Sequence, residues 1–126
     1  MTTDSPTLTD WPVLSRYTRA AALADGVLRD AGSLAREAGF RFPVALTEAA
    51  WNAAVAPPGG AAQSQDGRLW DVLFLLRAAS RGSGAVVRYQ VQVASSEGSS
   101  LVQLKAVCGP GDQGEPVITV MLPDED

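Results

Sequence analysis

The sequence predicts a single α+β domain, with short N-terminal helices and one long central helix packed on a C-terminal antiparallel sheet of three or four strands. Three observations carry that prediction. In GRLWDVLFLLRAAS, the residues Leu69, Val72, Leu73 and Leu76 fall at i, i+3, i+4 and i+7, one stripe of a helix. After Gly84 the period drops to two, and Val87, Tyr89, Val91 and Val93 alternate with Arg88, Gln90 and Gln92. Finally, 126 residues allow one core, and neither side of the Pro-Pro-Gly-Gly break at 57–60 is large enough to bury a good one alone.

The elements follow in order. Residues 1–10, MTTDSPTLTD, are small and polar and are expected to be disordered. Thr18 is placed to cap a short helix over 19–24, which Gly26 closes in the left-handed conformation. Residues 27–30 read as a short extended piece, and Ser33 is the expected cap of a second helix over 34–38 that ends at Gly39. Phe42 precedes Pro43 and is biased to extended geometry, so 43–46 is a candidate edge strand. Thr47 caps a third helix over 48–55, and residues 57–65 are an internal flexible loop.

Asp66 is the expected cap of the long helix, residues 67–80. Full burial of its four-residue stripe contributes at most about 6–12 kcal/mol. Trp70, Phe74 and Arg77 form a second face, which implies that the helix is covered on more than one side. A turn over 95–100 leads to a second strand, where Val102, Leu104, Ala106 and Cys108 alternate with Gln103, Lys105 and Val107. Residues 116–122 are apolar at nearly every position, so both faces of that strand are expected to be covered. The simplest arrangement is a three-stranded meander.

One motif asks for a decision. Gly109-Pro110-Gly111-Asp112-Gln113-Gly114 satisfies G-x-G-x-x-G, the pattern of a dinucleotide-binding loop. That chemistry needs a helix N-terminus aimed at the pyrophosphate and a further parallel strand. Here the glycines lead into EPVITV, a strand, and Asp112 would repel a phosphate. A hairpin loop, with glycines supplying positive φ, is the better reading.

Composition narrows the chemistry further. There is no His, which removes Ser-His-Asp and Cys-His triads and His-ligated zinc. The single Cys108 forms no internal disulfide and no thiolate zinc site, and alternation points it inward as a buried thiol. Formal net charge is −4, and the acids crowd toward the end: from Glu97 onward six acids face Lys105 alone. That distribution argues against direct nucleic-acid binding. No apolar run is long enough to span a bilayer and no leader-like segment opens the chain, so a cytoplasmic location is expected, without membrane contact.

Three candidate constellations remain. Gln103 and Lys105 share a strand face as in some nucleases, but a second well-placed carboxylate is missing, and a solvated polar face accounts for them. Tyr17, Arg19, Asp25 and Asp71 would have to meet in a cleft to support an enzyme that modifies a nucleotide or a protein. The aromatics Trp51, Trp70, Phe74, Phe40 and Phe42, with Arg36, Arg41 and Arg68, have the composition of a protein-binding surface.

Three stretches, YTRAAALADGVLRDAGSLAREAGFRFPVALTEAAW, DGRLWDVLFLLRAA and LVQLKAVCGPGDQGEPVITVMLPDED, resemble a family of short uncharacterised bacterial proteins encoded on plasmids, integrative elements and phage-like islands. The resemblance spans residues 17–126 and implies a mobile-element accessory protein, with no catalytic residues to carry over. The expected function is therefore protein–protein binding that inhibits a host defence system of the anti-CRISPR or antirestriction type, with no metal or organic cofactor. The residues expected to meet a protein partner are Asp112, Glu115, Asp124, Glu125 and Asp126, with Arg68 and Trp70. The acids would face a basic, nucleic-acid-handling surface.

Overall fold

The computed structural model describes residues 18–56, 65–80, 84–95 and 98–125. The expectations for residues 1–10 and for most of the 57–65 loop fall outside them. Thr18 caps α1 (Arg19–Asp25) as its side chain predicts, accepting from Ala21 N, and Gly26 ends the helix at φ 82°. β1 (Leu28–Asp30) follows. α2 (Ser33–Glu37) begins one residue earlier than expected: Ser33 lies inside the helix, and Gly32, at φ 65°, holds the cap position without a side-chain bond.

The largest departure from expectation is β2 (Val44–Thr47). It is no edge strand. It pairs antiparallel with β1 and parallel with β5, and Val44, Ala45 and Leu46 are buried. Three consecutive buried residues on a pleated strand require cover on both faces, which an edge position on a one-sided sheet does not provide. The expected antiparallel sheet of three or four strands is thus a five-stranded mixed sheet in the order β1-β2-β5-β4-β3. Its β3-β4-β5 portion is the predicted meander.

Thr47 caps α3 (Glu48–Ala50), accepting from Ala50 N. The chain then widens into a π-helical turn, Trp51–Val55, that ends with Ala56 N donating to the Trp51 carbonyl at 2.9 Å. α4 (Gln65–Ala79) carries Asp66 within its first turn, so Asp66 is not the cap. Leu69, Val72, Leu73 and Leu76 are all buried, as their spacing predicts. The second face of α4 differs from expectation: Phe74 is 56% exposed. No helix among the described residues is long and apolar enough to cross a membrane.

β3 (Val86–Ser95), β4 (Gly98–Pro110) and β5 (Pro116–Met121) complete the sheet, and β3 and β4 both run into the expected 95–100 turn. The registers assign each residue a face. Val91 opposite Val102, Tyr89 opposite Leu104 and Ala106 opposite Val120 lie toward α4 and build the main core with Val44 and Leu46. Tyr89 Oη donates to the Val72 carbonyl at 3.2 Å, and burial pushes its phenol pKa up. On the reverse face α1 covers β1 and its neighbours, burying Ala22, and Arg19 donates to Thr119 Oγ1 at 2.7 Å and to the Ile118 carbonyl at 3.0 Å. Toward β3 that face is exposed at Arg88, Gln90, Gln92 and Gln103, and Gln103 and Gln90 bond to each other across the strands at 2.7 Å.

The glycine-rich loop is a hairpin. Pro110 pairs with Pro116, Gly111 N donates to the Glu115 carbonyl at 2.6 Å, and Gly114 takes φ 84°. No helix begins on its glycines, since β5 follows directly.

Candidate functional site

A cavity with an apolar floor lies at the C-terminal end of α4. Strand alternation puts Val87, Ala106 and Ile118 on the face beneath it, and the helical stripe adds Leu76. These make the floor of a cavity of about 300 Å³. Phe40 and Phe42 form a wall, held there because Gly39, at φ 102°, turns the chain out of α2 and into β2. Arg41 and Arg77 stand at the rim. The Arg77 guanidinium packs over Gly39 so closely that a Cβ there would lie 2.8 Å from Nε. Cys108, half-buried, borders the floor. No acidic residue is among the described residues that line this space.

A second cavity, of about 330 Å³, lies on the other side of the Phe40–Phe42 segment and brings in Arg36 and Asp30. Three arginines therefore surround two phenylalanines on a protein whose net charge is negative. Phe42 is 40% exposed.

Next to this corner runs the outer face of α4. Trp70, Phe74 and Arg77 recur at i, i+4 and i+7, and the rings of Trp70 and Phe74 stack at 6.4 Å between centroids. The other aromatics and arginines predicted for a binding surface are elsewhere. Trp51 lies under Arg29, whose Cζ is 5.4 Å from the ring centroid. Arg68 is buried at 2% exposure, and Nη2 donates to the Ala94 carbonyl at 2.9 Å. It anchors α4 to β3 from inside.

The acidic residues also divide. Asp112 accepts from the backbone N–H groups of Arg19 and Ala20 at 2.7 and 2.9 Å, so it caps α1 from across the chain. Glu115 accepts from Gln113 N at 2.9 Å and is exposed. Glu125 Oε2 accepts from Thr47 Oγ1 at 2.8 Å and from Leu122 N at 2.7 Å, while its carbonyl accepts from Lys105 Nζ. Asp124 is exposed, and Asp126 lies outside the described residues. The loop and the tail sit at opposite ends of β5, separated by about 20 Å of extended chain. They do not form one surface.

Nor does the structure gather the residues of the supposed cleft. Arg19 and Asp25 belong to α1 on the reverse face, whereas Asp71 belongs to α4 on the core face, with the sheet between them. Tyr17 lies outside the described residues. Burial pulls the Arg19 guanidinium below its ordinary pKa, and the charges of Asp30, Asp112 and Glu115 oppose that shift. Arg19 also borders a shallow space of about 270 Å³ with Leu28 and Pro110. Among the described residues no three His, Cys, Asp or Glu side chains converge to hold a metal ion.

Of the eight aromatics and arginines expected to share one patch, Phe40, Phe42, Arg36 and Arg41 line these two cavities and Trp51 and Arg68 do not, while Arg77 and Cys108 were not expected beside them. The signal was present in part: Val87, Ala106 and Cys108 share one face by alternation. What the sequence does not display is which end of the sheet α4 leaves uncovered.

No significant match to the chain exists among curated proteins or among solved structures. A family model does match, over residues 8–126, nearly the whole chain, and so takes in the α4 face, the arginine-rimmed cavity and the hairpin together. The chain belongs to that family, DUF6573, a family of unknown function.

Proposed function

We propose that the chain acts by binding another protein, as a mobile-element accessory that inhibits a host defence system in the manner of anti-CRISPR or antirestriction proteins. The observation that supports this reading best is the stacked Trp70–Phe74 pair on the outer face of α4, with Phe74 more than half exposed. The buried apolar stripe already seats α4 on the sheet, and the exposed Phe74, stacked on half-buried Trp70, adds little to that burial. Large aromatics beside arginine are the composition of interface centres. Glu115 and Asp124, both exposed, supply rim charge toward a basic, nucleic-acid-handling partner met in the cytoplasm.

The test is an affinity capture from lysate of a host cell, run in parallel with tagged wild type, Phe74→Glu and Glu115→Lys/Asp124→Lys. The expected result is one stoichiometric partner that Phe74→Glu loses and the lysine variant weakens. Equal recovery by all three baits would reject the α4 face and the acidic rim as the binding surface, and a clean bait would reject the protein-binding reading.

A further inference from the structure

We propose that the cavity between α4, the Phe40–Phe42 segment and the sheet is a binding site for a small apolar monocarboxylate, with its hydrocarbon on the floor and its carboxylate between Arg41 and Arg77. The inference stands apart from the protein-binding reading, since it rests on the interior of the corner and not on the outer face of α4.

Size is the first argument. A space of about 300 Å³ is at the lower end of small-molecule sites. At the packing density of such sites it holds a ligand of roughly ten heavy atoms. Chemistry is the second. The floor is Leu76, Val87, Ala106 and Ile118, with no hydrogen-bonding side chain among them, so it rewards a hydrocarbon or a ring and disfavours a sugar or a free amino acid. The Cys108 thiol at its border is a weak donor that does not alter that preference.

Charge is the third argument and the most selective. The guanidinium groups of Arg41 and Arg77 make no hydrogen bond or ion pair with any described residue, and no described acid lines the cavity to neutralise them. A guanidinium presents two parallel N–H groups that match a carboxylate in geometry. Two carbonyls at the end of α4 are already occupied: Ser80 N donates to the Leu76 carbonyl and Ser80 Oγ to the Arg77 carbonyl. A cation is repelled here, an inorganic anion leaves the floor empty, and a neutral alcohol leaves the arginines without a partner. An amphipathic anion satisfies both halves of the site.

Placement of Arg77 has its own device. Its guanidinium lies against Gly39, whose missing Cβ is what lets it approach. Gly39 therefore acts as a positioning residue for the anion, in addition to supplying its positive φ.

The experiment is a titration of ¹⁵N-labelled protein with octanoate, with 1-octanol and acetate as controls. The expected result is saturable shifts at Gly39, Phe40, Ser80 and Cys108, with octanoate at least tenfold tighter than either control. Arg41→Gln/Arg77→Gln should weaken octanoate at least tenfold while keeping the dispersed spectrum of the folded protein, and Phe74→Ala should leave octanoate binding unchanged. Octanoate should also slow alkylation of Cys108 by iodoacetamide. Equal binding of octanol and octanoate, or an undiminished double variant, would overturn the proposal. So would binding of an acetylated tetrapeptide ending in Leu where octanoate fails, because the site would then read a protein C-terminus.

Discussion

Arg68 and Phe74 sit on the same helix and invert the usual roles of their residue types. Arg68 is buried and donates from Nη2 to the Ala94 carbonyl, whereas Phe74 is 56% exposed. Arg68→Ala therefore removes a charge-assisted bond and the packing of a long stem, and should cost about 2–3 kcal/mol in urea unfolding. Phe74→Ala should change stability by less than about 1 kcal/mol, because little area leaves water at that site. A Phe74→Ala loss as large as that of Arg68→Ala would mean that the outer face of α4 is part of the core. Sequence periodicity placed Leu69, Val72, Leu73 and Leu76 correctly, since apolar spacing reports burial directly. It could not place Arg68, because a buried arginine is chosen by one carbonyl across the fold and leaves no periodic trace.

At the scale of elements, α1 depends on the hairpin loop for its start. Thr18 satisfies Ala21 N, and Asp112 satisfies Arg19 N and Ala20 N. Asp112→Ala should leave two N–H groups of the first turn to water and cost about 1 kcal/mol, localised to α1. Hydrogen exchange should show faster exchange at residues 19–22 with the β3–β4 amides unchanged, and a uniform loss across the sheet would contradict the assignment. The local half of this cap was legible, since a threonine before RAAALAD is a familiar signal. The remote half was not, because Asp112 read as a turn residue and nothing local links it to residue 19. The same limit explains β2: its four residues carry the apolarity of a covered strand, but its partner lies at the far end of the chain. The meander was legible because each of its pairings is between neighbours in sequence.

For the molecule as a whole, the C-terminal residues act as a clasp. Glu125 reaches Thr47 at the end of β2, the Leu122 amide after β5, and Lys105 on β4, so three adjacent strands are tied by one residue. Glu125→Ala should lower global stability by about 1–2 kcal/mol in thermal or urea unfolding, without shifting the amide signals of α4. An effect confined to the last few residues would show that the clasp is not closed in solution. The sheet's order has a different consequence, one that concerns manufacture. β2 is seated by β5, and β5 is the last strand to be made. By the time a ribosome has translated β4, β1 and β2 have emerged with one backbone edge unpaired. The domain therefore completes its sheet only once β5 has been made, and a transcript cut short before residue 116 yields a chain with an open, apolar strand in place of a slightly smaller protein.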